Sequence, residues 1–306
     1  MGGLKLDLLH KDMLDFEKIL NLPSPLEPIS DYRFEQKGLK VFVKRDDLIH
    51  PQISGNKWRK LKFNLLEAKK LGYTKLITFG GAHSNHLYAL AAAGKYLGFE
   101  TTGIIRGDEL NADSSLTLQY AHECGMRLVF VSREAYRDKE ELLNIYRTSD
   151  QYIVPEGGSN ALALAGVGEM YQEIVAQLGY IPDYIICPVG SGGTIAGLIN
   201  VAPKTHIVGV CVLKNAQYLE TEILGLVENK ENIELRNFEI LWDFHHGGYA
   251  KNTPELLMFI EQFEEMHHIK TEYVYSGKMF FAFYELLKNK IKNNSTVVLI
   301  HTGGLR

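Results

Sequence analysis

The segment Ser54-Gly55-Asn56-Lys57-Trp58-Arg59-Lys60-Leu61 places a lysine directly after a turn and at the start of a helical pattern. Trp58, Leu61, Leu65 and Ala68 recur at spacings of three and four, one face of a helix, and Asn56 is a good N-cap for it. That makes Lys57 a first-turn residue. The positive pole of a helix start disfavours a cation, so a lysine there gives up its proton more readily. A neutral amine can add to an aldehyde and form a Schiff base. Lysines near helix starts are mostly solvated surface charges, so the rest of the chain has to decide.

In open α/β sheets ligands sit beyond the carboxyl ends of strands, where helix N-termini converge. Three junctions here are rich in small and polar residues. The first is Gly80-Gly81-Ala82-His83-Ser84-Asn85-His86, where Ser84 and Asn85 read equally as helix caps or as ligand contacts. The second is Cys187-Pro188-Val189-Gly190-Ser191-Gly192-Gly193-Thr194. Its glycines let backbone N–H groups approach an anion at a helix start. It lacks the lysine of a Walker A loop, and its G-x-G-G order misses the dinucleotide fingerprint, which disfavours a dinucleotide-dependent oxidoreductase. A phosphate cup for a mononucleotide-sized cofactor fits better, with Gly192→Val expected to weaken cofactor binding far more than folding. The third junction, Thr302-Gly303-Gly304, reads as an ordinary turn or as a further rim of the same site.

These junctions need elements to hold them. Short β-branched runs at 39–44, 75–79, 101–106, 127–132, 184–188, 206–213 and 296–301 read as strands. Helical patterns fall at 57–71, 84–97, 114–124, 134–147, 162–178, 191–201, 254–268 and 277–291. Residues 152–160 read as a turn-rich crossing, and 214–253 is the least regular stretch. Strand–helix alternation with near-continuous apolar strands predicts an α/β protein of parallel sheets flanked by helices. At 306 residues two lobes are expected. The larger takes 1–56 plus 158–306, and a smaller α/β domain takes 57–157.

Hydrophobic residues make up 45% and charged residues 23%, with a net charge of −4 and both signs interspersed. No basic stripe points to nucleic acid and no polybasic run to an anionic membrane. Cys124, Cys187 and Cys211 lie far apart, as in a reduced cytosolic protein. The start, Met1 to Asp7, has no apolar core of signal-peptide length, and no stretch has the length of a membrane span, so a cytoplasmic location is expected. The pairs His245-His246 and His267-His268 lack a ligand set with metal spacing, and no metal is expected. The aromatic run Phe280, Phe281, Phe283 and Tyr284 reads as core or subunit interface.

A first-turn lysine, a Ser-Asn turn and a glycine phosphate loop together describe a pyridoxal 5'-phosphate site. The chain resembles the 1-aminocyclopropane-1-carboxylate deaminase/D-cysteine desulfhydrase family, of the tryptophan-synthase-β-like fold (fold type II). The matching pieces are Val43-Lys44-Arg45-Asp46-Asp47, Gly55-Asn56-Lys57 with Arg59-Lys60-Leu61, Gly80-Gly81 with Ser84-Asn85-His86, the 190–194 loop, Gly248-Tyr249-Ala250 and Tyr275-Ser276-Gly277-Lys278. Each is weak alone; their common order over nearly the whole chain is specific. The resemblance implies that Lys57 forms the Schiff base and Asn85 bonds the cofactor's phenolic oxygen. It implies that Lys60 and the backbone of Gly190, Ser191, Gly192, Gly193 and Thr194 hold the phosphate, with Tyr249 stacking near the ring. Ser84 would meet the substrate carboxylate or relay a proton, Tyr275 would face the substrate, and Ser276 the pyridine nitrogen. A small amino-acid substrate and a homodimer are also implied.

The departures bear on the reaction. Ring-opening deaminases of this family carry a glutamate where Ser276 stands, and the desulfhydrases a hydroxyl residue. His86 also resembles the desulfhydrase branch, whereas His83 and Tyr88 stand where a Gln and an Arg are expected. Elimination from D-cysteine, giving a 2-keto acid and ammonia, is therefore the leading expectation and ring-opening deamination the alternative. A non-catalytic small-ligand-binding protein on the same fold is the rival class; Lys57, Ser84, Asn85 and Tyr275 argue against it.

Overall fold

The alternating pattern folds into two separate sheets in the computed structural model, which describes residues 16, 18–53 and 55–305. Ser54 and the amino-terminal stretch read above for a signal peptide lie outside the described residues. The chain opens with β1 (Leu26–Ile29), α1 (Tyr32–Glu35) and β2 (Lys40–Lys44). Helix α2 (Asn56–Lys70) leads to β3 (Lys75–Gly80), α3 (Asn85–Leu97), β4 (Glu100–Arg106), α4 (Leu116–Glu123), β5 (Arg127–Val131), α5 (Lys139–Tyr146) and β6 (Gln151–Ile153). Helix α6 (Ala161–Leu178) returns the chain to β7 (Tyr184–Val189), α7 (Gly193–Val201) and β8 (His206–Cys211). Then come α8 (Leu219–Leu226), α9 (Lys230–Glu234), β9 (Phe238–Leu241), α10 (Pro254–His267), α11 (Ser276–Leu286) and β10 (Thr296–Ile300).

The smaller sheet has the order β5-β4-β3-β6, all parallel. The larger has the order β1-β2-β10-β7-β8-β9, parallel except for β1, which runs antiparallel to β2. Pro28 sits in β1 because an edge strand has one side with no ladder to feed. Side chains of the larger sheet alternate between two cores. Val41, Val43, Ile186, Val208, Val297 and Leu299 pack under α10 and α11, while Ile185, Cys187, Ile207, Val298 and Ile300 pack under α6, α7 and α8. Burial of both faces explains why these strands read as unbroken apolar runs.

Trp58, Leu61, Leu65 and Ala68 of α2 are fully buried, in one core with Leu76, Leu87 and Leu90 of the smaller sheet's side. Phe280 and Phe283 are core residues, Phe280 stacked on Phe263. Some readings need correcting. Helix α2 is capped by Gly55, not Asn56; Gly55 has φ 67° and no side-chain cap bond. A Cβ there would lie 1.7 Å from the Thr302 carbonyl oxygen, so only glycine lets the third junction press against the start of α2. The 134–147 pattern divides into a 3-10 turn at Ala135–Arg137 and α5, and 277–291 is helical only to Leu286. The irregular 214–253 stretch contains α8, α9 and β9. Among the described residues no helix is long and apolar enough to cross a membrane.

Candidate active site

The carboxyl ends of β3, β7 and β10 open onto the first turn of α2. Lys57 is the second residue of that helix, half-buried, with no acid in the turn. One turn on, the Lys60 amine donates to Gly157 O at 3.0 Å, Ser159 Oγ at 2.9 Å and Ser191 Oγ at 3.1 Å. Burial first, then the charge of Lys57, pushes the Lys60 amine well below the ordinary lysine range. Its oxygen partners are all neutral, and no ion pair satisfies it among the described residues. A buried amine of this kind lacks an anion.

The start of α7 completes a cup. Its cap, Gly192, makes no side-chain bond to the first N–H groups. A Cβ on Gly193 would lie 2.6 Å from Ser159 Oγ and 3.0 Å from Lys60 Cε, so bare backbone faces those groups. Gly192 points elsewhere: a Cβ on it would meet Ile223 Cγ1 at 2.4 Å, with φ 78°. Gly192→Val therefore strikes folding, contrary to the expectation above, and Gly193 is the position that guards the cup. Thr194 accepts from the Asn56 amide at 2.8 Å and ties the loop to α2. A Cβ on Gly190 would lie 3.0 Å from the Tyr275 ring.

Across from the cup, Ser84 caps α3 by accepting from Leu87 N at 3.3 Å, so its single proton remains to donate. Asn85 opens the helix; its amide would lie 2.8 Å from a Cβ on Gly304, which assigns the third junction to this site. His86 is buried with Nε2 on Thr78 Oγ1 at 2.8 Å and Nδ1 without a partner. Burial, then Lys57 and Lys60, lower its pKa far enough to keep the ring neutral. Tyr275 and Tyr249 meet edge to face, centroids 5.9 Å apart, and the Tyr249 hydroxyl reaches His83 O at 3.5 Å. Ser276 is fully buried and its Oγ has no hydrogen-bond partner among the described residues.

A buried ion network holds α2 itself. Arg59 donates to Glu173 at 2.6 and 2.7 Å and to Asp46 at 3.0 Å, and Lys44 also donates to Glu173 at 2.8 Å. A Cβ on Gly166 would lie 1.9 Å from Arg59 O, so α6 and α2 touch through backbone.

These residues fit pyridoxal phosphate. The cup offers an amine, two hydroxyls and uncapped N–H groups to a phosphate, Lys57 offers an amine beside it, and Ser276 offers an unsatisfied hydroxyl. Sequence reasoning missed Ser159, taken as part of a turn, and Glu272, whose carboxylate binds the Ser276 N–H at 2.7 Å. The oxygen-rich 156–159 turn with Gly157 and Gly158 both at φ 68° was the available signal for the first.

Comparison with known proteins gives the same answer. Residues 19–303 match the family described as pyridoxal-phosphate dependent enzyme. A Thermotoga maritima protein provisionally named 1-aminocyclopropane-1-carboxylate deaminase is 34% identical over 287 residues, covering 89% of this chain and 90% of its own. The mitochondrial bifunctional D-cysteine desulfhydrase/1-aminocyclopropane-1-carboxylate deaminase of Arabidopsis thaliana is 32% identical, covering 94% of this chain and 77% of its own. A solved structure described as the ACC deaminase homologue superposes with a TM-score of 0.77 at 27% identity, covering 97% of this chain and 94% of that one.

Proposed function

We propose that this chain, which belongs to the pyridoxal-phosphate dependent enzyme family, eliminates a sulfur leaving group from a small amino acid, with D-cysteine as the reference substrate. D-cysteine and water would give pyruvate, ammonia and hydrogen sulfide. When bound, pyridoxal phosphate supplies an electron sink for negative charge at the substrate α-carbon. Lys57 would be the amine that holds the cofactor aldehyde, and as a free amine it would take the substrate α-proton. Lys60, Ser159, Ser191 and the Gly193 backbone bind the phosphate. Asn85 orients the ring, the Ser84 hydroxyl donates to the substrate carboxylate, and Tyr249 and Tyr275 wall the pocket against water.

The observation that carries the choice of reaction is Ser276, a fully buried hydroxyl without a hydrogen-bond partner among the described residues. A hydroxyl does not hold a proton on a pyridine nitrogen as a carboxylate does. Expelling a thiolate needs less electron withdrawal than opening a cyclopropane that has no α-proton to remove. Ring-opening deamination is the second reading, favoured by the name of the Thermotoga relative. Measuring kcat/KM for D-cysteine and 1-aminocyclopropane-1-carboxylate, in the native protein and in Ser276→Glu, separates them. Native preference for D-cysteine, shifted toward the cyclopropane in the variant, is expected. A native enzyme that prefers the cyclopropane overturns the reading and leaves the cofactor assignment intact.

The same reading assigns 57–157 to a smaller domain and 1–56 plus 158–306 to a larger, supported by the partition of strands between sheets. It places the protein in the cytoplasm as a homodimer, supported by its cysteine usage and the family resemblance; light scattering tests the dimer.

A further inference from the structure

The N-terminus of α11 is closed from upstream. Its cap residue, Tyr275, makes no side-chain cap bond of its own. Instead the Glu272 carboxylate accepts from Val274 N at 2.5 Å, from Tyr275 N at 3.0 and 3.1 Å, and from Ser276 N at 2.7 Å. The Glu272 carbonyl adds Gly277 N at 2.8 Å, and a Cβ on Gly277 would lie 2.6 Å from that oxygen. Both carboxylate oxygens thus accept N–H bonds, and a protonated acid would forfeit one of them. Burial pushes this carboxyl up on balance, with the backbone donors and the charge of Lys278 pulling against it.

Glu272 also borders the site. A Cβ on Gly304 would lie 2.8 Å from the Asn85 amide and 3.7 Å from Glu272 Cγ, so glycine alone separates them. The nearby cation, Lys278, donates to Gly248 O at 2.8 Å and so anchors the residue before Tyr249.

We propose that Glu272 is the positioning residue of the ring-nitrogen end of the site: its carboxylate fixes the backbone of Tyr275 and Ser276 and so holds the Ser276 hydroxyl where it can donate to an unprotonated ring nitrogen. This rests on the cofactor reading above. The test is the affinity of the full-length apoprotein, native and Glu272→Gln, for pyridoxal phosphate and for its analogue with a C–H in place of the ring nitrogen. Glutamine keeps an accepting oxygen and loses the charge. We expect the variant to weaken the natural cofactor about tenfold, the equivalent of one pKa unit, and to leave the analogue unchanged. Equal weakening of both ligands overturns the proposal, because it marks a role in folding the loop alone. A native protein that binds neither ligand refutes the cofactor reading instead. Should Glu272→Gln not fold, nitrogen-15 NMR of labelled cofactor on the native protein decides. A ring-nitrogen shift in the neutral, hydrogen-bonded range is expected, and one in the protonated range overturns the proposal.

Discussion

Two helices, α7 and α11, aim their N-termini into one site, and they do so with opposite polarity. Helix α7 starts after Gly192 with no side chain on its first N–H groups, beside the Lys60 amine and two serine hydroxyls. Helix α11 starts with its first N–H groups taken up by Glu272. The first end is made to receive an anion from outside, and the second already holds one. A helix terminus therefore has no fixed electrostatic meaning; the residues around its first turn decide what it attracts. A ligand with a phosphate at one end and an uncharged ring nitrogen at the other suits that pair of ends.

The sharpest way to test this arrangement removes the covalent link between the ends. Lys57→Ala should abolish the borohydride-trapped pyridoxyl adduct and lower turnover by about a thousandfold or more. Cofactor should still bind through the two helix ends, and its residual affinity measures what they hold. A reduced adduct mapped to another lysine would contradict the assignment.

A smaller effect separates neighbouring glycines. Gly193→Val puts a branched side chain against Ser159 and Lys60, and should weaken phosphate-dependent cofactor binding about a hundredfold with a smaller loss of Tm than Gly192→Val. Gly192→Val meets Ile223 and must hold φ 78°, so it should cost about 3 kcal/mol of stability. Equal cofactor affinities in the two folded variants would break the division of labour drawn here.

The smallest effect is a proton. Without an anion the Lys60 amine is depressed by burial and Lys57; a phosphate dianion favours its charged form and raises it again. Binding then takes up a proton, and affinity falls as pH rises between the lowered and the restored pKa, by at most about tenfold per pH unit. Pyridoxine 5'-phosphate avoids Schiff-base chemistry and is a dianion at pH 8. Calorimetry with it in two buffers of different ionisation enthalpy should find uptake approaching about one proton per chain. No uptake would mean that Lys60 is charged before the ligand arrives.

Most of the parallel sheet was legible because strands buried on both faces leave unbroken apolar runs, as at 184–188 and 296–300. Strand β1 escaped because Pro28 interrupts it, and β6 because its Gln151–Ile153 span is too short for a pattern. The lysine was legible as a helix-start residue, and the Ser-Asn turn and the glycine loop as strand-to-helix junctions. Asn56 was misread because its side chain goes to Thr194, a partner distant in sequence that local capping rules do not weigh. Glu272 left no recognisable mark, since capping patterns look for Ser, Thr, Asp or Asn immediately before a helix. Its carboxylate reaches forward across a loop to backbone groups instead.

The ion network under α2 has a consequence for where Lys57 can be. Arg59 is keyed into Glu173 and Asp46, two residues along from the reactive amine. Each residue of slippage along a helix turns a side chain by about 100° and shifts it about 1.5 Å. A neighbour's charges thus help set the amine's compass bearing. Relocating the lysine by one position in either direction would aim its nitrogen away from the cup, and would cost the Asn56–Thr194 bond or the buried Trp58.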